Sequence, residues 1–328
     1  MKKISIKGTG SYIPDRVVPN SYFEKIVDTT DEWIITRTGI QTRRMIEPGQ
    51  ALSDMATPAS EHALEMAGIS PEKLDLIIVG TSSADMLTPS AACILQHRLG
   101  AQNAVAFDVN AACPGFLYGL AVAQKFMQDG SHPYTLVVGG EVISNRIDYK
   151  DKTTCVLFGD GAGAVVLGHS DGNGDGEILT TDLHSDGNLW NLLYMPGGGS
   201  RIPPSHQMLN EGLHYLKMQG NEVFKYAVRT MVDSALKAME SKGITSEEID
   251  WFIPHQANLR IMEVVAERLE IPLEKVVITI HKYGNTSAAS IPVALDEAVR
   301  SGQIQRGNLI LANSFGAGFT WGASLFRF

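Results

Sequence analysis

The sequence predicts an α/β protein built from two similar halves, and three observations support this prediction. Short, continuous apolar runs such as LDLIIVG (74–80) and YTLVVGG (134–140) are typical of strands buried on both faces. Stretches with apolar residues at helical spacing alternate with these runs, which indicates α/β architecture. Finally, a weak internal repeat recurs along the chain at one constant, ungapped offset.

The repeat relates three segments of the first half to three of the second. GISPEKLDLIIVG, from Gly68, resembles GITSEEIDWFIPH, from Gly243. The same offset pairs two further segments: 104–110 with 279–285, and 134–141 with 309–316. A repeat this long indicates duplicated domains rather than a solenoid. We therefore expect halves at 1–172 and 173–328, divided by the Gly- and Asp-rich segment 169–177.

Within the second half, one helix and one loop are predicted most clearly. Residues 222–243 carry apolar side chains at 3.6-residue spacing, and Gly243 is a plausible C-terminal stop. The Gly- and Pro-rich stretch 195–207 is predicted to be a loop that covers a site.

Composition argues against several classes of function. The chain has 328 residues and a net charge of −9, so binding to nucleic acid or to an anionic membrane is not expected. We find neither a signal peptide nor an apolar run of membrane-spanning length. Three scattered cysteines without a CxxC pair favour free thiols in the cytoplasm over a disulfide framework or a metal site.

Cys113 is the candidate nucleophile, because it lies where the strand-like run 104–109 meets the helix-like run 115–127. If Pro114 is the first helical residue, the free N–H groups of the first turn point toward the sulfur. The helix dipole would then lower the pKa of the thiol. Taken alone, an isolated cysteine is more often an inert core residue, so the hypothesis needs partner residues.

Two residues of the second half are the candidate partners. His255 follows the apolar run 251–253, and Asn285 follows a second predicted strand. The repeat pairs Asn285 with Asn110, three residues before Cys113, so Asn285 and Cys113 should approach each other if the halves pack about a two-fold axis. The competing interpretation of His255 is a hydrogen-bonded structural histidine.

Other candidates are less favoured. Cys93 also begins a helix-like stretch, Cys155 lies in a strand-like run typical of the core, and His97 and His281 are interpreted as structural. The glycine-rich stretch 158–168 has apolar runs on both sides, which favours a tight hairpin over a nucleotide-binding loop.

Five motifs, taken together and in order, resemble the β-ketoacyl-acyl carrier protein synthase III family of the thiolase superfamily. They are DVNAACPGF (108–116), GDGAGAVVLG (159–168), HQANLR (255–260), GNTSAAS (284–290) and FGAGFTWG (315–322). The resemblance extends from GTGSYIP near the start to the final FRF. It implies a thiolase-like fold of two duplicated halves in five α-β-α-β-α layers, and a homodimer.

The resemblance also implies the chemistry. Cys113, His255 and Asn285 match a catalytic triad, in which Cys113 takes the acyl group of an acyl-CoA primer. Malonyl-acyl carrier protein then loses carbon dioxide and condenses with the acyl-cysteine, which initiates fatty acid synthesis without a permanently bound cofactor. The backbone N–H groups of Cys113 and Ala317 would form the oxyanion hole, although the family usually has Gly at position 317.

Further positions match the family's substrate contacts. The implied coenzyme A contacts are Trp33, Arg37, Lys152, Gly220, Phe224 and Asn258. Trp33 would stack on adenine and Arg37 would bind phosphate. Lys152 stands where the best-known bacterial pattern has an arginine, so the second flat face on the adenine is missing.

The same resemblance implies a docking surface and a primer pocket. Lys225, Arg260 and Arg268 match the basic rim that receives the acyl carrier protein, whereas Glu267 places a negative charge where a basic residue is common. Thr88 matches the position that reaches the partner subunit's acyl pocket. Because threonine is smaller than the aromatic residue of some members, we expect primers longer than acetyl to be accepted.

Related enzymes are the alternatives. Thiolases use a second cysteine near the C-terminus, elongating synthases use Cys-His-His, and plant-type polyketide synthases are longer. A non-catalytic relative that serves only in binding would normally lose a triad residue. A synthase III relative of secondary metabolism with a different acceptor could have an identical triad, and remains the closest alternative.

Overall fold

Two large β-sheets, two small two-stranded sheets and three layers of helices form the described part of the computed structural model, which covers residues 2–170, 172 and 176–328. The strands are β1 (Ile4–Tyr12), β2 (Val17–Pro19), β3 (Thr42–Arg44), β4 (Leu76–Gly80), β5 (Val105–Val109), β6 (Tyr134–Glu141), β7 (Gly161–His169), β8 (Glu177–Ser185), β9 (Leu193–Tyr194), β10 (Lys217–Met218), β11 (Trp251–Pro254), β12 (Leu309–Gly316) and β13 (Thr320–Arg327). The α-helices are α1 (Asn20–Phe23), α2 (Asp31–Thr38), α3 (Leu52–Ala67), α4 (Ala91–Leu99), α5 (Gly115–Met127), α6 (Lys152–Cys155), α7 (His206–Asn210), α8 (Gly220–Glu240), α9 (Leu259–Arg268), α10 (Ile280–Tyr283) and α11 (Ser290–Arg300).

The two large sheets come from different parts of the chain. The first has the order β1-β7-β6-β4-β5 and the second the order β11-β12-β13-β8. The predicted divider, 169–177, lies partly outside the described residues. The boundary between residues 172 and 173 therefore stays a prediction.

Helices separate and cover the two sheets. Helices α5 and α11 contact strands of both sheets, α3 and α4 contact the first sheet, and α8 contacts the second sheet and α9. Buried hydrophobic side chains form one cluster at each of these three levels. The layers thus follow the α-β-α-β-α order that the sequence predicted. Among the described residues, no helix combines the length and the apolarity that crossing a membrane requires.

Parallel strands bring the functional segments to one edge of each sheet. In the first sheet β4 pairs in parallel with β5 and with β6, so their carboxyl ends lie side by side. Cys113 follows β5, and Glu141 is the last residue of β6. In the second sheet β11 pairs in parallel with β12, and His255 and Ala317 are the residues that follow the carboxyl ends of these two strands.

The predicted strand at Cys155 is wrong. Residues 152–155 form the short helix α6, so the glycine-rich stretch 158–168 leads into the single strand β7 rather than forming a hairpin. The cause is local capping: the Asp151 side chain accepts hydrogen bonds from the Thr153 N–H at 2.9 Å and from the Thr154 hydroxyl at 2.8 Å. These bonds favour a helical turn over the β preference of the following residues.

The predicted strand before Asn285 is also wrong. Val276 makes only an isolated bridge to Phe252, and the chain then enters α10. The side-chain oxygen of Gln256 accepts the N–H groups of Thr279 and Ile280 at 2.8 and 3.1 Å. Because these backbone donors are satisfied by a side chain, the segment has no need of a strand partner there.

The helix predicted at 222–243 is confirmed, with bounds Gly220–Glu240. Its buried side chains, including Ala227, Met231 and Ala235, follow the predicted apolar face. The chain leaves the helix through Gly243, whose φ of +65° lies in the left-handed region that favours glycine.

Gly80, at the end of β4, is required by a close backbone approach to the helix that follows Cys113. A Cβ at this position would lie 2.4 Å from the carbonyl carbon of Gly115. We expect Gly80→Ala to lower the free energy of unfolding by about 2 kcal/mol, because neither backbone can move away freely. Denaturant unfolding measures this change.

Gly187→Ala is the matched control for Gly80→Ala. A Cβ at Gly187 would meet no described atom within 4 Å. Its stability should stay within about 0.5 kcal/mol of the parent. Equal stability of the two variants would contradict the proposed contact.

Candidate active site

Cys113 lies between β5 and α5, as the sequence predicted. Helix α5 begins at Gly115 with Pro114 as its N-cap residue, so the helix starts one residue later than expected. Ala112 precedes the thiol with a φ of 50°, a left-handed conformation that costs a non-glycine residue about 1 kcal/mol. Such local strain is typical of positions where side-chain direction matters for function.

The triad predicted from the sequence lines a single deep cavity. Cys113, His255 and Asn285 all border this space, whose volume is about 1200 Å³. The backbone N–H of His255 donates to the carbonyl of Asn313 at 2.8 Å, which fixes His255 just past β11. The backbone N–H of Asn285 donates to the carbonyl of Leu157 at 2.9 Å.

A hydrogen bond from the backbone orients the side chain of Asn285. Its Oδ1 accepts the backbone N–H of Ser287 at 2.9 Å. The amide oxygen is therefore occupied, and Nδ2 is left to donate hydrogen bonds to a molecule in the cavity.

A serine sets the tautomer of His255. Nδ1 lies 2.6 Å from Ser290 Oγ, and this oxygen also accepts the backbone N–H of Gln256 at 3.3 Å. Among the described residues Nδ1 is the only acceptor within reach of the Ser290 hydroxyl, so the hydroxyl proton is directed to Nδ1. His255 then carries its own proton on Nε2 and is a hydrogen-bond donor to the cavity.

Electrostatics contradict the expected lowering of the thiol pKa. Burial raises the pKa of Cys113 to about 12; the hydrogen bond from Ser287 opposes this rise, and the nearby Glu141 carboxylate adds to it. Burial also lowers the pKa of His255 to about 3. The helix dipole is thus outweighed by lost hydration, and the resting site holds a neutral thiol and a neutral imidazole.

The predicted oxyanion-hole residues lie next to each other. A Cβ on Gly316 would lie 2.8 Å from the backbone nitrogen of Cys113, so the segment that carries Ala317 packs directly against the nucleophile. Ala317 borders the cavity. Ala317 does not adopt a positive φ, so a methyl group is accommodated there without backbone strain.

All six predicted coenzyme A contacts border the same cavity: Trp33, Arg37, Lys152, Gly220, Phe224 and Asn258. Lys152 Nζ lies 5.7 Å from the centroid of the Trp33 ring and donates to the carbonyl of Asp28 at 3.2 Å. This lysine therefore stands over the indole as a cation without a flat stacking surface.

Asn258 has a structural function that the sequence did not predict. Its Oδ1 accepts the N–H of Arg260 at 2.9 Å and so caps α9. Its Nδ2 donates to the carbonyl of Arg37 at 3.0 Å, which joins α9 to α2 at the cavity mouth.

Of the residues proposed for carrier-protein docking and for the primer pocket, only some border the cavity. Lys225 and Arg260 border the cavity, whereas Arg268, in the last turn of α9, is exposed and does not. Lys225 is paired with Glu222 at 2.8 Å. Thr88 is exposed and does not border the cavity of its own chain.

Sequence reasoning missed the apolar wall of the cavity and the groups behind Cys113. The wall contains Ile143, Leu157, Phe158, Leu193, Met195, Leu216, Met231 and Phe315. These residues come from distant segments, and no spacing in the sequence relates them. Of the loop 195–207, only Met195 borders the cavity. Ser287 stands within a motif already noted, but Glu141 carried no signal.

The pKa directions give a test of the resting state. Because the pKa of the Cys113 thiol lies near 12, the thiolate fraction rises tenfold per pH unit through the neutral and mildly alkaline range. We expect the rate of alkylation of Cys113 by iodoacetamide to rise about tenfold per unit from about pH 7 to 9. Site-resolved mass spectrometry measures this rate, and a plateau near neutral pH would contradict the assignment.

Comparison with known proteins identifies the family. A family model described as 3-oxoacyl-[acyl-carrier-protein] synthase III matches residues 107–187, and its C-terminal counterpart matches residues 239–328. The chain is 52% identical to a β-ketoacyl-[acyl-carrier-protein] synthase III of Caldanaerobacter subterraneus subsp. tengcongensis, over 98% of this chain and 97% of the relative. It is 47% identical to that of Clostridioides difficile, over 99% and 98%.

Solved structures give the same result. The crystal structure of 3-oxoacyl-[acyl-carrier-protein] synthase III from Aquifex aeolicus has a TM-score of 0.92 and 46% identity, covering 99% of this chain and 100% of that one. The priming β-ketosynthase of the R1128 polyketide pathway has a TM-score of 0.91 and 38% identity, covering 99% and 96%. The relatives with higher identity are named as synthase III enzymes, so the secondary-metabolism alternative is not favoured, and the thiolase-like fold is confirmed. This chain belongs to the 3-oxoacyl-[acyl-carrier-protein] synthase III family of condensing acyltransferases.

Proposed function

We propose that this chain condenses an acyl-CoA primer with malonyl-acyl carrier protein and so initiates fatty acid synthesis. The observation that carries the proposal is the convergence of a thiol and two oriented hydrogen-bond donors, Cys113, His255 and Asn285, on one cavity. The synthase III name of the relatives supports the same reaction.

The first half-reaction transfers the acyl group to Cys113. Its sulfur attacks the thioester carbonyl carbon, and the backbone N–H groups of Cys113 and Ala317 stabilise the negative oxygen of the tetrahedral intermediate. The carbon–sulfur bond to coenzyme A breaks. The proton lost from Cys113 is taken up by the coenzyme A thiolate, so coenzyme A leaves as a thiol.

The second half-reaction uses the two donors. Malonyl-acyl carrier protein loses carbon dioxide, and the electron pair of the broken bond forms an enolate. His255 Nε2–H and Asn285 Nδ2–H donate to the enolate oxygen, and each preorganised donor contributes about 3 kcal/mol. The enolate carbon attacks the acyl-cysteine. Cys113 leaves as a thiolate, and the product is 3-oxoacyl-acyl carrier protein.

Substrate entry uses the rim of the cavity. Trp33 supplies a flat face for adenine, and Arg37 supplies a planar cation for phosphate. Lys152 adds a positive charge on the other face of the adenine. Acyl carrier protein docks on Lys225, Arg260 and Arg268. Because this chain has a net charge of −9, the attraction is local and mainly affects the encounter rate.

The enzyme acts as a cytoplasmic homodimer joined at the edge of the first sheet. Within residues 2–170, 172 and 176–328, strand β5 pairs with β4 alone, and its Val105 is 53% exposed. Phe126 on α5 and Leu87 in the loop before α4 are 39% and 91% exposed. An apolar sheet edge of this kind is unfavourable in water, and a second copy of the edge would cover it. Thr88 lies beside Leu87 on this surface, so it reaches the partner's acyl pocket.

Replacement of Asn285 separates the two half-reactions. We expect Asn285→Ala to be acylated at nearly the parent rate but to condense about a hundredfold more slowly, because one enolate donor is lost. Intact-protein mass spectrometry follows acylation, and product formation follows condensation. Cys113→Ala is the control that should lose both steps. Equal loss of acylation and condensation in Asn285→Ala would overturn the role assigned to Asn285.

The size of residue 88 sets the longest primer. The parent should be acylated by hexanoyl-CoA and octanoyl-CoA as well as by acetyl-CoA, whereas Thr88→Phe should lose at least about tenfold of its rate with the longer primers only, because the ring fills space that the chain needs. Thr88→Val, which keeps the side-chain volume, should retain the parent preference. Strict acetyl preference in the parent would refute this assignment.

A further inference from the structure

A buried carboxylate lies close behind Cys113 and has no place in the two half-reactions. Glu141, at the end of β6, is fully buried and does not border the cavity. Ser287 connects it to the nucleophile: Ser287 Oγ lies 3.4 Å from Cys113 Sγ and 3.3 Å from Glu141 Oε1. One hydroxyl proton therefore has two acceptors within reach.

The carboxyl group of Glu141 accepts several hydrogen bonds. Its Oε1 accepts the backbone N–H and the hydroxyl of Ser82, each at 3.0 Å, and its Oε2 accepts the hydroxyl of Ser83. Burial raises the pKa of this carboxyl group, and these donors act against that rise. A group that accepts from several donors at once is a stronger acceptor when it is charged.

The backbone holds Ser287 in place for this contact. Its φ of 52° is left-handed, as is that of Ala112 next to the thiol. Non-glycine residues rarely adopt this conformation, and the surrounding structure must impose it. The N–H of Ser287 is fixed on Asn285 Oδ1, so the hydroxyl can change its acceptor by rotation of the O–H bond alone.

We propose that Ser287 is a two-position hydrogen-bond switch, which donates to Cys113 when the sulfur is a thiolate and to Glu141 when the sulfur is a thiol or a thioester. The sulfur changes charge twice per cycle, and a thiolate accepts a hydrogen bond far better than a thioester. The proton stays on Ser287 Oγ throughout, so only hydrogen bonds change and no covalent bond is broken. Glu141 acts through Ser287 and is a positioning residue. The inference rests on Cys113 being the nucleophile of the proposed function.

The switch predicts opposite effects for its two members. Loss of the Ser287 hydroxyl removes a donor to the thiolate and raises the pKa of Cys113, whereas loss of the Glu141 charge lowers it. The titratable groups that face Cys113 are Glu141 and, across the cavity, His255. His255 is neutral because burial lowers its pKa to about 3, so it contributes no charge to the comparison.

The test is iodoacetamide alkylation of Cys113 at a fixed, mildly alkaline pH, resolved by site with mass spectrometry. Relative to the parent, we expect Ser287→Ala to react about tenfold more slowly and Glu141→Gln about tenfold faster. Each change corresponds to a shift of about one unit in the pKa of Cys113.

Ser11→Ala is the matched control. It removes another hydroxyl–carboxylate hydrogen bond, from Ser11 to Asp296 at 2.6 Å, at a place that does not border the cavity. Its Cys113 should react at the parent rate. Thermal unfolding identifies variants that do not fold; if Glu141→Gln is among them, Ser287→Ala decides the question alone.

Shifts of Ser287→Ala and Glu141→Gln in the same direction, or a rate within twofold of the parent for either folded variant, would overturn the switch. Alkylation needs no acyl-CoA and no carrier protein. A chain that failed to condense these substrates could still show the opposite shifts, so failure of the proposed function and failure of this inference are distinguishable.

Discussion

The loss of water around Cys113, His255 and Asn285 is the constraint on which the rest of the site depends. A buried polar group without a partner costs about 1–3 kcal/mol. Each partner therefore has a hydrogen bond to the protein: His255 Nδ1 to Ser290, and Asn285 Oδ1 to the N–H of Ser287. His255 Nε2 and Asn285 Nδ2 are left to face the substrate. The hydrogen bonds that satisfy the buried groups therefore also orient these two donors.

This constraint also explains why the thiol and the imidazole are neutral at rest. An enolate needs donors rather than a permanent positive charge, and the neutral Nε2–H of the buried His255 supplies one without attracting other anions. The cost falls on the nucleophile, since the same burial disfavours a thiolate. Contacts that stabilise the Cys113 thiolate are therefore important, and Ser287 makes such a contact.

Close backbone packing makes the arrangement possible. The carboxyl ends of parallel strands meet at one edge of each sheet, and there the chain uses residues without side chains. A Cβ on Gly316 would lie 2.7 Å from Cδ of Pro114, and one on Gly139 would lie 2.2 Å from the carbonyl oxygen of Ala288. Larger residues would separate the two halves and open the site to water.

Much of this could be predicted from the sequence, because strand-to-helix junctions and a repeat are local patterns. Cys113 and His255 were found in this way, whereas the order of the layers came from the family resemblance. Asn285 was found in spite of a wrong strand, since side-chain capping by Gln256 replaced the expected pairing. The direction of the thiol pKa and the contact to Glu141 could not be predicted, because both depend on burial and on residues far apart in the chain.

The most direct measurement is intact-protein mass spectrometry after incubation with an acyl-CoA, followed by addition of malonyl-acyl carrier protein. Our account predicts a mass increase of one acyl group that is absent in Cys113→Ala and is then discharged as a 3-oxoacyl product. An acyl-enzyme that malonyl-acyl carrier protein fails to discharge, or the absence of any acylation by primers from acetyl to decanoyl, would contradict it.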